Sequence, residues 1–594
     1  MKDKLPFGLL LLAIWVKFSW FYNVTRVTNH YLIVVFITFI IYSGIILLLS
    51  KRPWLAMTVS GVLTFIFECE VLYFRYFNKL LSFNNLSQAR FVNSVSNVMF
   101  NLLRPVDFIL VLDLIVLFLI LYKKRDYLHM RSKYKWITAA MMVVVVPCFT
   151  LASFGNDIAT SVMNQEFFMY HTKDGIEVYQ SETSDQEVLV DEPEPIPVEE
   201  EVVESLNYTG LFKGKNVITI QVESLQDMML LKEYNGQEIT PFLNELISRD
   251  SFYFSSYYQQ LGRGNTSDAE FSSHNSLYPS MDDISYNRYQ STDFRGLPVL
   301  LSELGYSTMA FHGNEGSFWC RQEAYEKQGF KEFYSEEKLE LDEIIGMGLY
   351  DGSLYRQGVD ILKNQSGPFY SFFVTITNHN PYELPEDKIS IDLLEKDEET
   401  MFGHYIESVK NTDDTIKAFY ESLEEEGLLD NTILIIYGDH HGMPCMDDMY
   451  KERISAFIGH DYDFDEMMNI PLIIHAPGMG FSETNDNTFD QQDLLPTLVN
   501  LMDLDPNLKM MGQDMLNTSD HFTLFQTYMI KGSFIWDDIV FEMSRDGIFE
   551  NGRAWNRRTR EPVDVKDCVK GYERAMYEIA LSKYILENNK VLVE

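Results

Sequence analysis

Five apolar runs crowd the start of the chain, at residues 5–22, 31–49, 54–74, 106–122 and 136–154. Each approaches the ~20 residues that a helix needs to cross the hydrocarbon core of a bilayer. One such run alone reads equally well as a buried core helix. Five in succession, divided by polar loops, read as a helical membrane domain, because a spanning helix satisfies all its backbone groups internally. No small-residue cleavage site follows the first run, so it reads as a span and not as a removed leader.

Basic residues orient the spans. Lys2 and Lys4 precede the first run. Lys51 and Arg52 separate the second from the third. Lys123, Lys124, Arg125, Arg131, Lys133 and Lys135 separate the fourth from the fifth. Short cationic loops stay in the cytoplasm. The loop at 75–105, with Arg75, Lys79, Arg90 and Arg104, works against this assignment without reversing it. The expectation is an inside N-terminus and, after Phe154, an extracellular remainder. Glu68 and Glu70 fall within the third run, where a charge costs ~3 kcal/mol. They face either a lipid headgroup path or the bundle interior and interface.

Composition then changes. Residues 155–179 are amphipathic in places, and 181–205 are acidic, Pro-containing and free of aromatics, as in a solvated spacer. The expected organisation is a membrane domain at 1–155, a juxtamembrane segment and linker at 156–213, an α/β domain at 214–520 and a C-terminal part at 521–594. A net charge of -39 argues against nucleic acid as a partner and against a polybasic membrane-surface mode. The five cysteines (Cys69, Cys148, Cys320, Cys445, Cys568) show no zinc-type or CxxC spacing, and an odd count makes no complete disulfide framework. Any metal must therefore use oxygen and imidazole ligands.

Beyond Gly214, short β-rich runs at 216–222, 307–311, 369–375, 432–437 and 470–475 alternate with helical stretches such as 401–424 and 491–504. Thr240-Pro241 opens a helix with a good N-cap and Pro at its first position. The alternation predicts a mostly parallel sheet covered on both faces, with the chemistry at the carboxyl ends of its strands. In the tail, 541–546 and 547–553 read as strands and 573–588 as a helix.

Three polar clusters sit at predicted strand ends: Glu223, Thr377-Asn378-His379-Asn380-Pro381 and Asp439-His440-His441-Gly442. Alone, each reads as a strand-end acid, a satisfied loop histidine or a turn. A fourth stretch, Gly262-Arg263-Gly264-Asn265-Thr266-Ser267-Asp268-Ala269-Glu270-Phe271, is a Gly-rich turn running into a helix start. Ser267 and Glu270 have capping-box spacing. A hydroxyl here lies where free N–H groups and the helix dipole favour an anion, although a capped helix alone explains the pattern too. Taken together, Glu223, Asp439, His440 and the Thr266 hydroxyl make a four-ligand divalent site. A metal there lowers the pKa of the hydroxyl and screens charge as it attacks phosphorus. Arg321, in Phe311-His312-Gly313-Asn314-Glu315-Gly316-Ser317-Phe318-Trp319-Cys320-Arg321, offers a bidentate fork for a phosphate, and Trp319 a pocket wall. The plainer alternative is a surface Arg and a core Trp. No Walker A sequence is present.

These residues as a set resemble the lipoteichoic acid synthase family, membrane phosphoglycerol transferases with a sulfatase/alkaline-phosphatase-like outer domain. The resemblance covers nearly the whole chain. It implies that Thr266, in Gly264-Asn265-Thr266-Ser267-Asp268-Ala269-Glu270-Phe271, is the nucleophile. It implies that Glu223, Thr266, Asp439 and His440 hold a metal, usually Mn2+, with Mg2+ or Zn2+ as substitutes. It implies substrate contacts at His379, Trp319, Arg321 and His312. Asn314 departs from the family, which has an acid there. The implied reaction moves glycerol phosphate from phosphatidylglycerol to a glycolipid or growing lipoteichoic acid chain through a glycerophospho-threonine. His379 assists proton transfer or binds phosphate. The implied setting is the cell membrane of a Gram-positive-type bacterium, with the α/β domain outside.

Three alternative classes fit the sequence less well. A phosphoethanolamine transferase shares the plan but tends to carry several outer-domain disulfides. A sulfatase needs a Cys or Ser precursor where this chain has Thr266-Ser267-Asp268. A non-catalytic binding protein would have lost Thr266, Glu223 or the Asp-His pair.

Overall fold

The structure, a computed structural model, describes residues 5–593 except 28, 50, 51, 78, 84–101, 124–136, 146–155, 184–189, 197–205, 291 and 293. It divides into two compact units, Met1–Glu187 with Glu542–Arg553 and Val188–Phe541 with Ala554–Glu594.

In the first unit, four helices among the described residues are long and apolar enough to cross a membrane. They are α1 (Leu5–Val24), α2 (Tyr31–Leu48), α3 (Pro53–Phe77) and α4 (Leu112–Tyr122), the last preceded by a 3-10 turn at Pro105–Val111. An 18-residue span rises ~27 Å, close to the ~30 Å of hydrocarbon. Of the fifth predicted span only 137–145 are described, and they are helical. The rest of that span, the basic loop at 124–136 and most of the acidic linker lie outside the described residues.

All four helices meet at a polar node that the apolar pattern hides. Lys17 Nζ donates to Thr64 Oγ1 at 2.6 Å and to Asp113 Oδ1 at 3.2 Å. Tyr42 Oη donates to Asp113 Oδ2 at 2.6 Å. Both charged side chains are buried. Lys17→Met is expected to destabilise this unit by about 3–5 kcal/mol, because it strands a buried carboxylate. Lys17→Met with Asp113→Leu should recover most of the loss. Thermal unfolding of the purified chain in detergent checks this, and equal losses in the single and double variants would refute it. Glu70 also turns inward. It accepts Leu81 N at 3.0 Å and lies 2.9 Å from His171 Nε2.

The second unit is built on a nine-stranded sheet. Its strands are β1 (Asn216–Val222), β2 (Ser251–Tyr258), β3 (Ser307–His312), β4 (Glu332–Tyr334), β5 (Phe369–Val374), β6 (Thr432–Gly438), β7 (Asn469–His475), β8 (Glu483–Asn485) and β9 (Phe489–Asp490). The order is β8-β2-β7-β6-β1-β5-β3-β4, with β9 also paired to β2. Only β7 runs against its neighbours, β6 and β2. Two reversals restore the direction of β2. The carboxyl ends of β1, β2, β3, β5 and β6 therefore share one edge.

Alternation along β1 sends Ile218, Ile220 and Val222 to one face and Val217 to the other. The first face packs with Ile406, Val409 and Ile416 of α6 (Met401–Glu425), while α5 (Thr266–Asn275) and α7 (Leu494–Met502) cover the other through Phe271, Leu494 and Leu498. This is the mostly parallel, doubly covered sheet expected from the alternation. The sequence reading missed β2, whose run Ser-Phe-Tyr-Phe-Ser-Ser-Tyr-Tyr is aromatic rather than aliphatic.

Two local expectations change. The helix at Pro241–Ser248 starts at Pro241 as expected, but Thr240 makes no cap bond to it. Asp413 of α6 caps it instead, accepting Phe242 N and Leu243 N at 3.0 and 2.8 Å. In the tail the strands are β10 (Phe522–Phe525), β11 (Ser533–Trp536), β12 (Ile539–Glu542) and β13 (Arg553–Asn556), with α8 at Val569–Glu587. Residues 543–552, predicted as strand, form a turn instead. Gly547 has φ 80°, and Asp546 Oδ1 accepts Ile548 N at 3.0 Å.

Candidate active site

Each predicted cluster follows one of the strands that end at the shared edge. Glu223 follows β1, Asp439 and His440 follow β6, His379 follows β5, and the 312–321 loop leaves β3. Thr266 follows β2 after a short Gly-rich loop.

Glu223, Asp439 and His440 are buried, and each offers a ligand atom within 4.8 Å of the others. Ser224 turns the chain sharply with φ 55°. Asp439 Oδ1 accepts Ser224 N at 2.7 Å and His440 N at 2.6 Å. Asp439 Oδ2 is buried and has no hydrogen-bond partner among the described residues. His440 Nδ1 lies 3.0 Å from the His441 carbonyl, which makes Nδ1 the donor. Its Nε2 is then aimed at Glu223 Oε1 and Asp439 Oδ2, each 3.5 Å away.

Two carboxylates and an imidazole lone pair converging in a dry space repel one another unless a cation lies among them. Burial, then Glu223, push the Asp439 carboxyl up to about 8. Burial opposes charge on His440, but Asp439 and Glu223 outweigh it and raise its pKa. Proton and metal thus compete for one set of atoms. The orphaned oxygen, the tautomer and the hard-oxygen and imidazole donor set all fit a divalent ion.

Thr266 completes the edge of this cluster. It is the first residue of α5, partly exposed, with Oγ1 3.4 Å from Glu223 Oε2. The predicted capping box is not formed. Ser267 Oγ bonds the Gly264 carbonyl at 3.0 Å, and Glu270 is engaged elsewhere. Asp268 does the work instead. Its Oδ2 accepts Gly262 N and Gly264 N at 2.9 and 2.6 Å, and its Oδ1 accepts Ser285 Oγ at 2.7 Å. Burial pushes this carboxyl up to about 6 against those hydrogen bonds. A Cβ at Gly264 would sit 2.3 Å from Ser267 Oγ, so a side chain there would displace the hydroxyl that bonds the Gly264 carbonyl. The turn and the helix start therefore hold each other.

The 312–321 loop is ordered from within. Arg321 is 1% exposed. Its Nε and Nη2 donate to Glu270 Oε1 at 2.9 and 2.7 Å, and Tyr325 Oη donates to Glu270 Oε2 at 2.7 Å. Arg321 Nη1 reaches His312 Nε2 at 3.2 Å, and His312 Nδ1 donates to the Val374 carbonyl at 3.0 Å. Burial and the Arg321 charge hold His312 well below its usual pKa, and so neutral. The fork that the sequence offers to a phosphate is thus already balanced by Glu270, because a buried guanidinium needs a counter-charge. Trp319 is partly buried at φ 59°, followed by Cys320 at φ 60°. Asn314 is partly buried, with Oδ1 accepting Glu315 N at 2.6 Å. His379 is partly buried, with Nδ1 2.9 Å from the Asn380 carbonyl.

Sequence reasoning missed Asp268, the Glu270 pairing and Asn378. The signal was available for the first two, since both acids lie in the Thr266 motif.

Known proteins with similar sequence or structure match over the same two regions. The sulfatase family profile matches residues 215–504, and the lipoteichoic acid synthase N-terminal domain profile matches residues 2–184. A lipoteichoic acid synthase of Staphylococcus saprophyticus is 27% identical over 96% of this chain and 89% of its own length. One of Staphylococcus aureus is 26% identical over the same shares. The crystal structure of the lipoteichoic acid synthase LtaP from Listeria monocytogenes superposes with a TM-score of 0.61 at 29% identity, over 64% of this chain and 94% of that one. An alkaline phosphatase superfamily protein from Vibrio parahaemolyticus, 22% identical with a TM-score of 0.52 over 64% of this chain and 89% of its own, shares the fold.

Fold and site define a metal-dependent phosphotransferase of the sulfatase and alkaline-phosphatase type, carried behind an apolar helical region. Within that class the chain is similar to lipoteichoic acid synthases over 96% of its length, and residues 2–184 match the N-terminal domain of that family.

Proposed function

We propose that this enzyme transfers glycerol phosphate from phosphatidylglycerol to a glycolipid or growing lipoteichoic acid chain outside the cell. The observation that carries the reading is the Thr266 hydroxyl at a helix start, 3.4 Å from the buried Glu223–Asp439–His440 cluster. Its similarity to lipoteichoic acid synthases supports lipoteichoic acid as the product class.

Glu223, Asp439, His440 and Thr266 would hold a divalent ion such as Mn2+. That ion would make the Thr266 hydroxyl more acidic and offset charge on the phosphoryl oxygens. Thr266 Oγ then attacks phosphorus, and the glycerol oxygen of the lipid leaves with a proton as diacylglycerol. A free hydroxyl of the acceptor next attacks the glycerophospho-threonine, the bond to Thr266 Oγ breaks, and the threonine regains a proton. His379, in the loop after β5, assists proton transfer. Trp319, Arg321, His312 and Asn314 form the headgroup side. Arg321, already paired with Glu270, supplies directed N–H donors rather than free charge.

Membranes carrying the full chain and fluorescent phosphatidylglycerol test this. Metal-dependent diacylglycerol release is the expected result. Turnover of phosphatidylethanolamine in its place would assign the phosphoethanolamine chemistry, and no turnover of either lipid would leave a binding protein.

A further inference from the structure

Glu223 is gripped along its backbone as well as at its carboxylate. It lies one residue past β1, and Ser224 after it has φ 55°, so no regular ladder fixes this peptide. Side chains fix it instead. Glu223 N donates to Thr375 Oγ1 at 2.8 Å, and the Glu223 carbonyl accepts Asn378 Nδ2 at 2.8 Å. Thr375 is 1% exposed and Asn378 is fully buried.

Both residues come from the short segment that follows β5. Thr375 N prolongs the ladder, donating to the Gln221 carbonyl at 3.1 Å. The two residues between them are held from the far side by Asp351, at the start of the helix Asp351–Leu362. Asp351 Oδ1 accepts Ile376 N at 2.9 Å, Oδ2 accepts Thr377 N at 3.0 Å, and Thr377 Oγ1 accepts Asp351 N at 2.9 Å. The same segment runs on into His379. Asn378 Oδ1 is buried with no hydrogen-bond partner among the described residues. A residue there only to fill space would be apolar, because an orphaned buried carbonyl is costly. Among the described residues, the Asn378 side chain spends its hydrogen bond on Glu223.

We propose that Thr375 and Asn378 are positioning residues of the metal site: they aim the Glu223 carboxylate by clamping its peptide on both sides, and Asp351 braces the segment that carries them. The inference rests on the metal reading above. Groups that orient a metal ligand typically contribute 10–100-fold to metal affinity.

The test uses the full chain in detergent, stripped with a chelator and titrated with Mn2+ by calorimetry. The melting temperature of each metal-free protein is measured alongside. Thr375→Val and Asn378→Ala are expected to raise the Kd for Mn2+ about 10- to 100-fold, in addition to the drop in metal-free melting temperature that unpairing the buried Glu223 amide or carbonyl brings. Thr375→Ser, which keeps the hydroxyl, is expected to bind as wild type does. Wild-type affinity in Thr375→Val and Asn378→Ala, when Glu223→Ala no longer binds, overturns the inference and leaves the metal reading standing. A lowered metal-free melting temperature with unchanged affinity marks a merely structural role and overturns it equally. Full binding by Glu223→Ala removes the metal reading itself, and the inference with it.

Discussion

Replacing Thr266 with alanine is expected to cut diacylglycerol release from phosphatidylglycerol by at least about a thousandfold, because the proposed covalent intermediate forms on its Oγ1. The fold should tolerate the change. Thr266 is partly exposed at the first position of α5, and alanine is a good helix former there. The turn before it is secured by Asp268, not by Thr266. Thr266→Ser keeps an oxygen in place and should retain measurable activity. The check is single-turnover release with fluorescent lipid, plus the melting temperature of each variant. Release by Thr266→Ala within tenfold of wild type would remove Thr266 as nucleophile.

The second large effect is pH-dependent metal affinity. Asp439 holds a proton up to about 8 in the metal-free protein because burial, then Glu223, disfavour its charge. A bound cation needs that proton gone. The Kd for Mn2+ should therefore rise at least about tenfold for each unit that pH falls below 8. The sign for stability runs the other way. A carboxyl whose folded pKa is raised stabilises fully below its unfolded value, and that contribution is lost as pH rises through about 8. Asp351 and Asp490, both pushed up to about 7 by burial, act in the same direction. Metal-free protein should thus melt higher at pH 5.5 than at pH 8.5, and Mn2+ should raise the melting temperature far more at the higher pH. Calorimetric titrations at several pH values check this, and an affinity flat from pH 6 to 8 would sink it.

Much of the candidate site was legible before any coordinates. Glu223, His379 and the Asp439-His440 pair were found because each follows a β-rich run, and in a mostly parallel sheet such runs end on one edge. Thr266 was found from glycines and hydroxyls, although β2, the strand that delivers it, was not. Its aromatic run lacks the aliphatic pattern, and its place depends on β7 turning back between it and β6. The capping box failed because Glu270, three residues after Ser267, found a buried guanidinium instead of a backbone amide.

Local chemistry by itself determined what each segment can be. Runs of about 20 apolar residues must span or be buried, strand-period and helix-period runs must alternate in layers, and polar residues placed at strand ends must face an edge. Tertiary structure alone decided which of those polar residues are open and which are satisfied. Lys17 and Asp113 lie far apart in apolar runs, and only helix packing makes them a pair. Arg321 and Glu270 neutralise each other across separate elements. Thr375, Asn378 and Asp351 gain a role only because β5 lies beside β1. Hydrogen bonds and ion pairs act over about 3 Å, so a partner distant in sequence leaves no local trace, whereas burial and periodicity are written residue by residue along the chain.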